Sequence, residues 1–150
     1  MESYKTTIKF NVKADRVFDA LINKIPFWWT ELFEGLSDQK GNRFTIRFGD
    51  NIYKTMLVEE IFPNTRIVWR VEDARIGISE LKNQTEWINT IIVWQITPHE
   101  NFSELVLHHI GLSKEIECYD ICVNGWQQFL NSFRSYVEFG KGYPFSASNE

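Results

Sequence analysis

Residues 117–144 read ECYDICVNGWQQFLNSFRSYVEFGKGYP. Cys118, Tyr119, Cys122, Val123, Trp126, Phe129, Leu130, Phe133, Tyr136 and Val137 recur at the spacing that gathers side chains on one face of an α-helix. Gly140-Lys141-Gly142-Tyr143-Pro144 then stops the run, with glycine suited to a helix C-cap and proline unable to continue a helix. A helix with so broad an aromatic face must lie across an apolar surface of similar extent. The upstream chain supplies that surface as strands.

Tyr4, Thr6, Ile8, Phe10 and Val12 alternate with Lys5, Thr7, Lys9 and Asn11, the period of a half-buried strand. Val17, Phe18, Leu21 and Ile22 mark one side of a short amphipathic helix over Ala14 to Asn23, and Pro26 opens a second short segment through Trp28, Trp29 and Leu32. After a loop around Gly35 to Gly41, Phe44, Ile46 and Phe48 alternate, Gly49-Asp50-Asn51 turns the chain, and Tyr53 to Phe62 returns as a hairpin partner. Pro63-Asn64-Thr65 leads into Arg66 to Glu72, where Ile67, Trp69 and Val71 share a face. Asp73 to Glu86 reads as a polar, irregular connection, the kind of long loop that forms a rim or lid. Trp87 to Thr97 and Phe102 to Ile110 read as the last strands. The expected order is βααβββββα, an α+β fold of six strands in a single domain spanning 1–150.

Composition narrows the function classes. Aromatic residues make up 15% of the chain, with 12 Phe and 6 Trp, so large stiff side chains either fill a core or line a pocket. A net charge of -4 without charge blocks offers no footprint for nucleic acid or an acidic membrane surface, and no apolar run is long enough for membrane insertion. The start, Met1-Glu2-Ser3-Tyr4-Lys5, lacks a basic stretch followed by an apolar one, and the two cysteines fall in one helix; a cytoplasmic location is expected.

Particular residues carry a resemblance. Val17-Phe18-Asp19-Ala20-Leu21, Trp28-Trp29, and Gly125-Trp126 with Phe129-Leu130 resemble the Bet v 1-like or START-like superfamily, and within it bacterial domains similar to the C-terminal domain of the Hsp90 ATPase activator. A closer subgroup shows as Glu86-Trp87, Thr90, His109-Ile110-Gly111-Leu112, Glu117-Cys118-Tyr119, Cys122, Gly125-Trp126 and Gly140-Lys141-Gly142-Tyr143-Pro144. The chain departs from that pattern with Asn89 in place of Gly and Lys114 in place of Pro. The resemblance implies a helix-grip fold, a curved antiparallel sheet wrapped around the long C-terminal helix, with a cavity between them that in many relatives holds an apolar small molecule. Binding of such a molecule is therefore the leading expectation; a protein-partner module, as for the Hsp90 activator, is the second, and a cyclase- or hydrolase-like enzyme the third.

Trp28, Trp69, Trp94, His109, Trp126, Phe129 and Phe133 are the candidate ligand-binding residues, drawn from the aromatic cluster and the strand bearing Leu105, Leu107 and His109. The resemblance turns that strand face inward, making His109 the candidate acid or base of the enzyme reading, while His108 points away. Gly125 and Ser132 leave a small-residue strip along the helix where space can open. Cys118 and Cys122 stand on one helix side and read as small buried hydrophobes; zinc through them and His109 lacks the spacing of a zinc site. Glu59-Glu60 are adjacent on a strand, so only one is expected to face inward. No phosphate loop, nucleophile elbow or paired-carboxylate site is present, so no cofactor and no metal are expected, and no catalytic set is assigned. The sequence leaves the oligomeric state open.

Overall fold

The computed structural model describes residues 2–147. In chain order the elements are β1 (Tyr4–Phe10), α1 (Ala14–Asn23), α2 (Ile25–Trp28), β2 (Phe33–Gly35), β3 (Arg43–Arg47), β4 (Ile52–Phe62), β5 (Arg66–Ile76), β6 (Ile91–Pro98), β7 (Ser103–Ile110) and α3 (Tyr119–Phe139). The strands form one antiparallel sheet in the order β1-β7-β6-β5-β4-β3-β2. This is the helix-grip arrangement, with seven strands where the sequence reading counted six.

The added strand is β2, a short edge piece that pairs Phe33 with Ile46 and Gly35 with Phe44. Gly35 has φ +100°, and a Cβ there would stand 2.3 Å from the Arg43 carbonyl oxygen, so the loop glycine is a close-approach position. A segment of this length carries too little alternation to be read from sequence.

Two bulges reshape the central hairpin. Thr55 and Met56 of β4 pair with Asp73 and Val71, leaving Glu72 as an extra residue in β5. The buried phase of β5 therefore jumps from Ile67, Trp69 and Val71 to Ala74 and Ile76, and the strand runs past the point where its alternation breaks. The second shift inserts Glu59 between Val58 and Glu60. Both carboxylates consequently reach the outer face, where Glu59 pairs with Arg70 at 2.8 Å and Glu60 with Arg66 at 3.3 Å. The expectation that one glutamate faces inward fails for this reason.

The strand expected from Trp87 begins instead at Ile91. Trp87 to Thr90 forms a turn closed by Thr90 N–H donating to the Trp87 carbonyl at 3.0 Å, with Asn89 at φ 71°. Asparagine tolerates that left-handed backbone better than most residues. At the other end of the chain, α3 closes on Gly140 at φ 81°, whose N–H reaches the Tyr136 carbonyl at 2.8 Å.

Between sheet and helices lies an aromatic interior. Trp28 contacts Phe133 at 4.7 Å between ring centroids, Trp69 contacts Trp94 at 5.5 Å, and Trp94 meets Trp126 at 5.7 Å, all close to edge-on. Trp28 Nε1–H donates to the Ala20 carbonyl at 2.9 Å, tying α2 to α1. Ser132 fixes α3 against both: its hydroxyl donates to the Trp28 carbonyl at 2.7 Å and accepts the Tyr143 N–H at 2.6 Å. The following segment doubles back along α2, with Phe145 N–H donating to the Trp29 carbonyl and Glu31 N–H to the Phe145 carbonyl, each at 2.9 Å.

Candidate functional site

The packing opens at one end of α3. A half-open cleft of about 300 Å3 runs between the first turns of that helix and the outer half of the sheet. On the helix side its walls are Ile121, Cys122, Gly125, Trp126, Gln128 and Phe129; Ile52 and Lys54 of β4 face them across the gap. Ile76, Ile78 and Trp87 close one flank, and Trp29, Phe48 and Phe145 the other. Trp29, Trp126 and Trp87 stand in a row, with centroid separations of 5.2 and 6.0 Å. Gly125 keeps the space empty, since a Cβ built on it would meet nothing within 4 Å.

Lys54 is the charged side chain among the described lining residues. Ile52, Lys54, Met56 and Val58 share the inward phase of β4, so the strand aims a lysine at a wall otherwise apolar. Its Nζ lies 4.5 Å from the Trp87 ring centroid and 4.7 Å from that of Phe48. As a residue Lys54 is half-buried, because the cleft opens beside it, but its ammonium sits deep among protein atoms, and that depth governs its acidity. Burial lowers its pKa from 10.5 to about 8, opposed by the neighbouring sulfurs of Cys122 and Cys118. At neutral pH it remains a cation held against aromatic faces.

His109 lies behind the cleft, fully buried and with both ring nitrogens engaged. Trp126 Nε1–H donates to Nδ1 at 3.0 Å, so the ring proton resides on Nε2, which donates to Thr90 Oγ1 at 2.9 Å; Thr90 in turn donates to the Trp87 carbonyl at 2.7 Å. Burial, followed by the charges of Lys54 and His108, lowers the His109 pKa to about 3. The imidazole is thus a neutral brace that holds two cleft walls, Trp126 through its indole and Trp87 through the turn and an edge-on ring contact at 4.5 Å. With no free nitrogen facing the cleft, it has no proton to exchange with a ligand there.

Residues 11–138 match the family model described as Activator of Hsp90 ATPase homolog 1-like protein. The chain belongs to this family. Its fold is similar to the Aha1 dimer from Colwellia psychrerythraea, with 21% identity, a TM-score of 0.74, and coverage of 95% of this chain and 100% of that one. DynU16, from the dynemicin biosynthetic locus, is 16% identical with a TM-score of 0.73, over 95% of this chain and 49% of that one. CalU16 from Micromonospora echinospora is 15% identical with a TM-score of 0.65, over 93% and 75% of the two chains. No curated protein sequence matches the chain. At these identities the structures establish the fold alone.

In this member of the Activator of Hsp90 ATPase homolog 1-like family, the residues singled out from sequence divide between cleft and core. Trp126 and Phe129 line the cleft. Trp28, Trp69, Trp94, His109 and Phe133 pack behind it, each completely buried. Phe133 stands about two helical turns beyond Trp126 and fits edge-on against Phe10 at 5.6 Å, so it seals the core instead of facing a ligand. Ser132 is likewise spent on the Trp28 and Tyr143 backbone. Lys54, Phe48, Trp87 and Phe145 were missed as lining residues, although a lysine in the inward phase of an alternating strand was a readable signal for the first. Among the described residues no group of three or more His, Cys, Asp or Glu side chains is placed to hold a metal ion.

Proposed function

We propose that this protein binds a small, largely apolar molecule with an anionic end in the cleft between β4 and α3. One observation carries the reading: a cleft walled by Trp29, Phe48, Trp87, Trp126 and Phe129 places the Lys54 ammonium against its rings. The aromatic walls suit an apolar body, and the buried cation gains most from a ligand that brings the opposite charge into the same low-dielectric space. The volume, at the lower end of ligand pockets, favours aromatic or short-chain carboxylates. Gly125 provides room on the helix side.

Titrating arylalkyl and fatty carboxylates while following the indole fluorescence of the cleft tests this. Saturable binding is expected, weakened at least about tenfold in Lys54→Met and weakening in the wild type as pH rises through about 8, where Lys54 loses its charge. Binding that is indifferent both to the substitution and to pH, or no saturation by any carboxylate, refutes it.

The partner-module reading rests on the family's own description and on a group of exposed aromatics, with Phe27, Phe139 and Tyr143 at 54%, 82% and 64% exposure near the far end of α3. It needs a different surface from the cleft, so the two readings are separable by mutation. The enzyme reading built on His109 loses its support, because both nitrogens are committed inside the core. We place the protein in the cytoplasm on the same inference as its reduced cysteines; among the described residues no helix is long and apolar enough to cross a membrane.

A further inference from the structure

Cys122 belongs to the cleft wall with Cys118 behind it, yet their arrangement is more than packing. Their sulfurs lie 2.8 Å apart at the start of α3. Cys122 lines the cleft, and Cys118, the N-cap residue, is sealed behind it. The two sulfurs have opposite surroundings. Cys122 Sγ accepts the Trp87 Nε1–H at 3.1 Å and feels the attraction of Lys54. Cys118 is beside Glu86, whose carboxylate accepts the Glu117 N–H at 3.0 Å and the Cys118 N–H at 3.1 Å.

This asymmetry decides which sulfur ionises. The Cys122 pKa is lowered, first by the hydrogen bond it can accept from Cys118 and then by Lys54 and the Trp87 indole, against its burial. That of Cys118 is raised by the same hydrogen bond, by burial, and by the charges of Cys122 and Glu86. In the neutral pair Cys122 donates to Cys118; after one proton leaves, the remaining one sits on Cys118 and faces the Cys122 thiolate. The helix N-terminus adds to the stabilisation of that anion.

We propose that Cys118 and Cys122 form a redox-active pair in which Cys122 reduces an organic hydroperoxide admitted by the cleft and Cys118 resolves the product as a disulfide. The Cys122 thiolate attacks the terminal oxygen of the hydroperoxide, the O–O bond breaks, and the leaving alkoxide takes a proton from Lys54 or water, giving an alcohol and a sulfenic acid at Cys122. The Cys118 sulfur then displaces hydroxide from that sulfenic acid; hydroxide combines with the Cys118 proton, so water leaves and the S–S bond forms. Two thiols are oxidised, one hydroperoxide is reduced, and the balance closes.

The geometry accommodates the second step. Residues four apart at helical rise and twist have Cα atoms about 6 Å from each other, inside the range of about 4.4–6.8 Å that disulfides span, and their Cβ atoms, about 5–6 Å apart, must close to about 3.5–4.5 Å as the bond forms. Cys118 is the N-cap residue at φ -79° and ψ 1°, and its carbonyl accepts the Cys122 N–H at 2.8 Å, so closing the bond draws on the first turn of the helix. The small apolar cleft selects the oxidant: it fits an alkyl or aryl hydroperoxide and has no room for a protein disulfide, while Lys54 is placed to receive the alkoxide charge as it develops.

Reacting the reduced, full-length protein with cumene hydroperoxide, denaturing it in N-ethylmaleimide and weighing the intact chain tests the proposal. The wild type is expected to lose the mass of two hydrogens, take up no maleimide, remain monomeric on a non-reducing gel and recover both thiols with dithiothreitol. Cys118→Ser should accumulate a dimedone-reactive sulfenic acid at Cys122, and Lys54→Met should slow wild-type-like oxidation at least about fivefold. Circular dichroism establishes that the variants fold, and the wild-type readout needs no variant. The proposal is overturned if the wild type oxidises no faster than free cysteine, if the disulfide forms between chains, or if Cys118 in Cys122→Ser reacts as fast as Cys122 does in Cys118→Ser.

Discussion

Replacing Lys54 by methionine is expected to stabilise this protein at neutral pH, by about 1.5–2.5 kcal/mol. The fall in pKa from 10.5 to about 8 measures the difficulty of carrying a charge at that position. At about 1.4 kcal/mol for each tenfold change in acidity, it corresponds to about 3.5 kcal/mol. The rings of Trp87 and Phe48 return part of this, about 0.5–1 kcal/mol each in a half-open site. Methionine fills a similar volume with no charge to desolvate, so the remainder appears as a gain. The pH dependence fixes the sign. Between about 8 and 10.5 the unfolded chain binds the proton that the folded chain has released, so wild-type stability rises with pH across that window and the advantage of the variant disappears. Urea denaturation of both proteins at pH 7 and pH 10 reads this directly, with the variant midpoint higher at the first pH and the two converging at the second. A variant less stable than wild type by more than about 1 kcal/mol at pH 7 would show that the aromatic contacts outweigh desolvation and that the cleft is a cation site in its resting state.

Substitutions at two further positions have expected outcomes. Gly125→Ala should raise stability by about 0.5–1 kcal/mol, because a helix-interior glycine is replaced where a Cβ meets no atom within 4 Å, whereas Gly125→Leu should abolish carboxylate binding in the fluorescence titration by filling the cleft. His109→Gln should destabilise by about 2–3 kcal/mol through lost partners for Trp126 and Thr90 and should remove a component of acid sensitivity. The folded His109 titrates near 3 against 6.5 for the ordinary group, so wild-type stability falls as pH drops through that interval; denaturation midpoints between pH 4 and 7 that fall equally in variant and wild type would contradict the buried neutral imidazole.

How far the sequence could be read depended on whether a residue's role follows from local period. The α3 face, the inward phase of Ile67, Trp69 and Val71, and the amphipathic α1 obey simple periods and were legible. The end of β5 was not, because the extra Glu72 shifts the buried phase onto Ala74 and Ile76 and makes a continuing strand look like a polar loop. Trp87 read as strand because the β-branched Ile88, Thr90 and Ile91 follow it; the left-handed Asn89 that makes a turn there is visible only in the backbone. For the site, the aromatic inventory named large interior side chains but could not separate wall from core. Trp126 and Trp28 sit on the same apolar interior, and only the empty space beside Gly125 tells which of them borders the cleft. His109 illustrates the same limit, since an inward histidine looks alike in sequence whether its nitrogens are free or committed.

The pairing of the first strand with the last has a kinetic side. Tyr4 stands opposite His109 and Phe10 opposite Ser103, so β1 finds its place only after a loop of about 100 residues has closed, whereas β3, β4 and β5 can assemble through short turns. Until then β1 is an unpaired amphipathic segment, and Lys5 and Lys9 on its polar side discourage contact with another chain's edge. The hairpins that bear Lys54 and Trp69 need not wait for that closure. The cleft must wait longer, because its helical wall begins beyond β7 and Phe145 later still: the central meander can form early, while the complete cleft is among the last things the folding chain acquires.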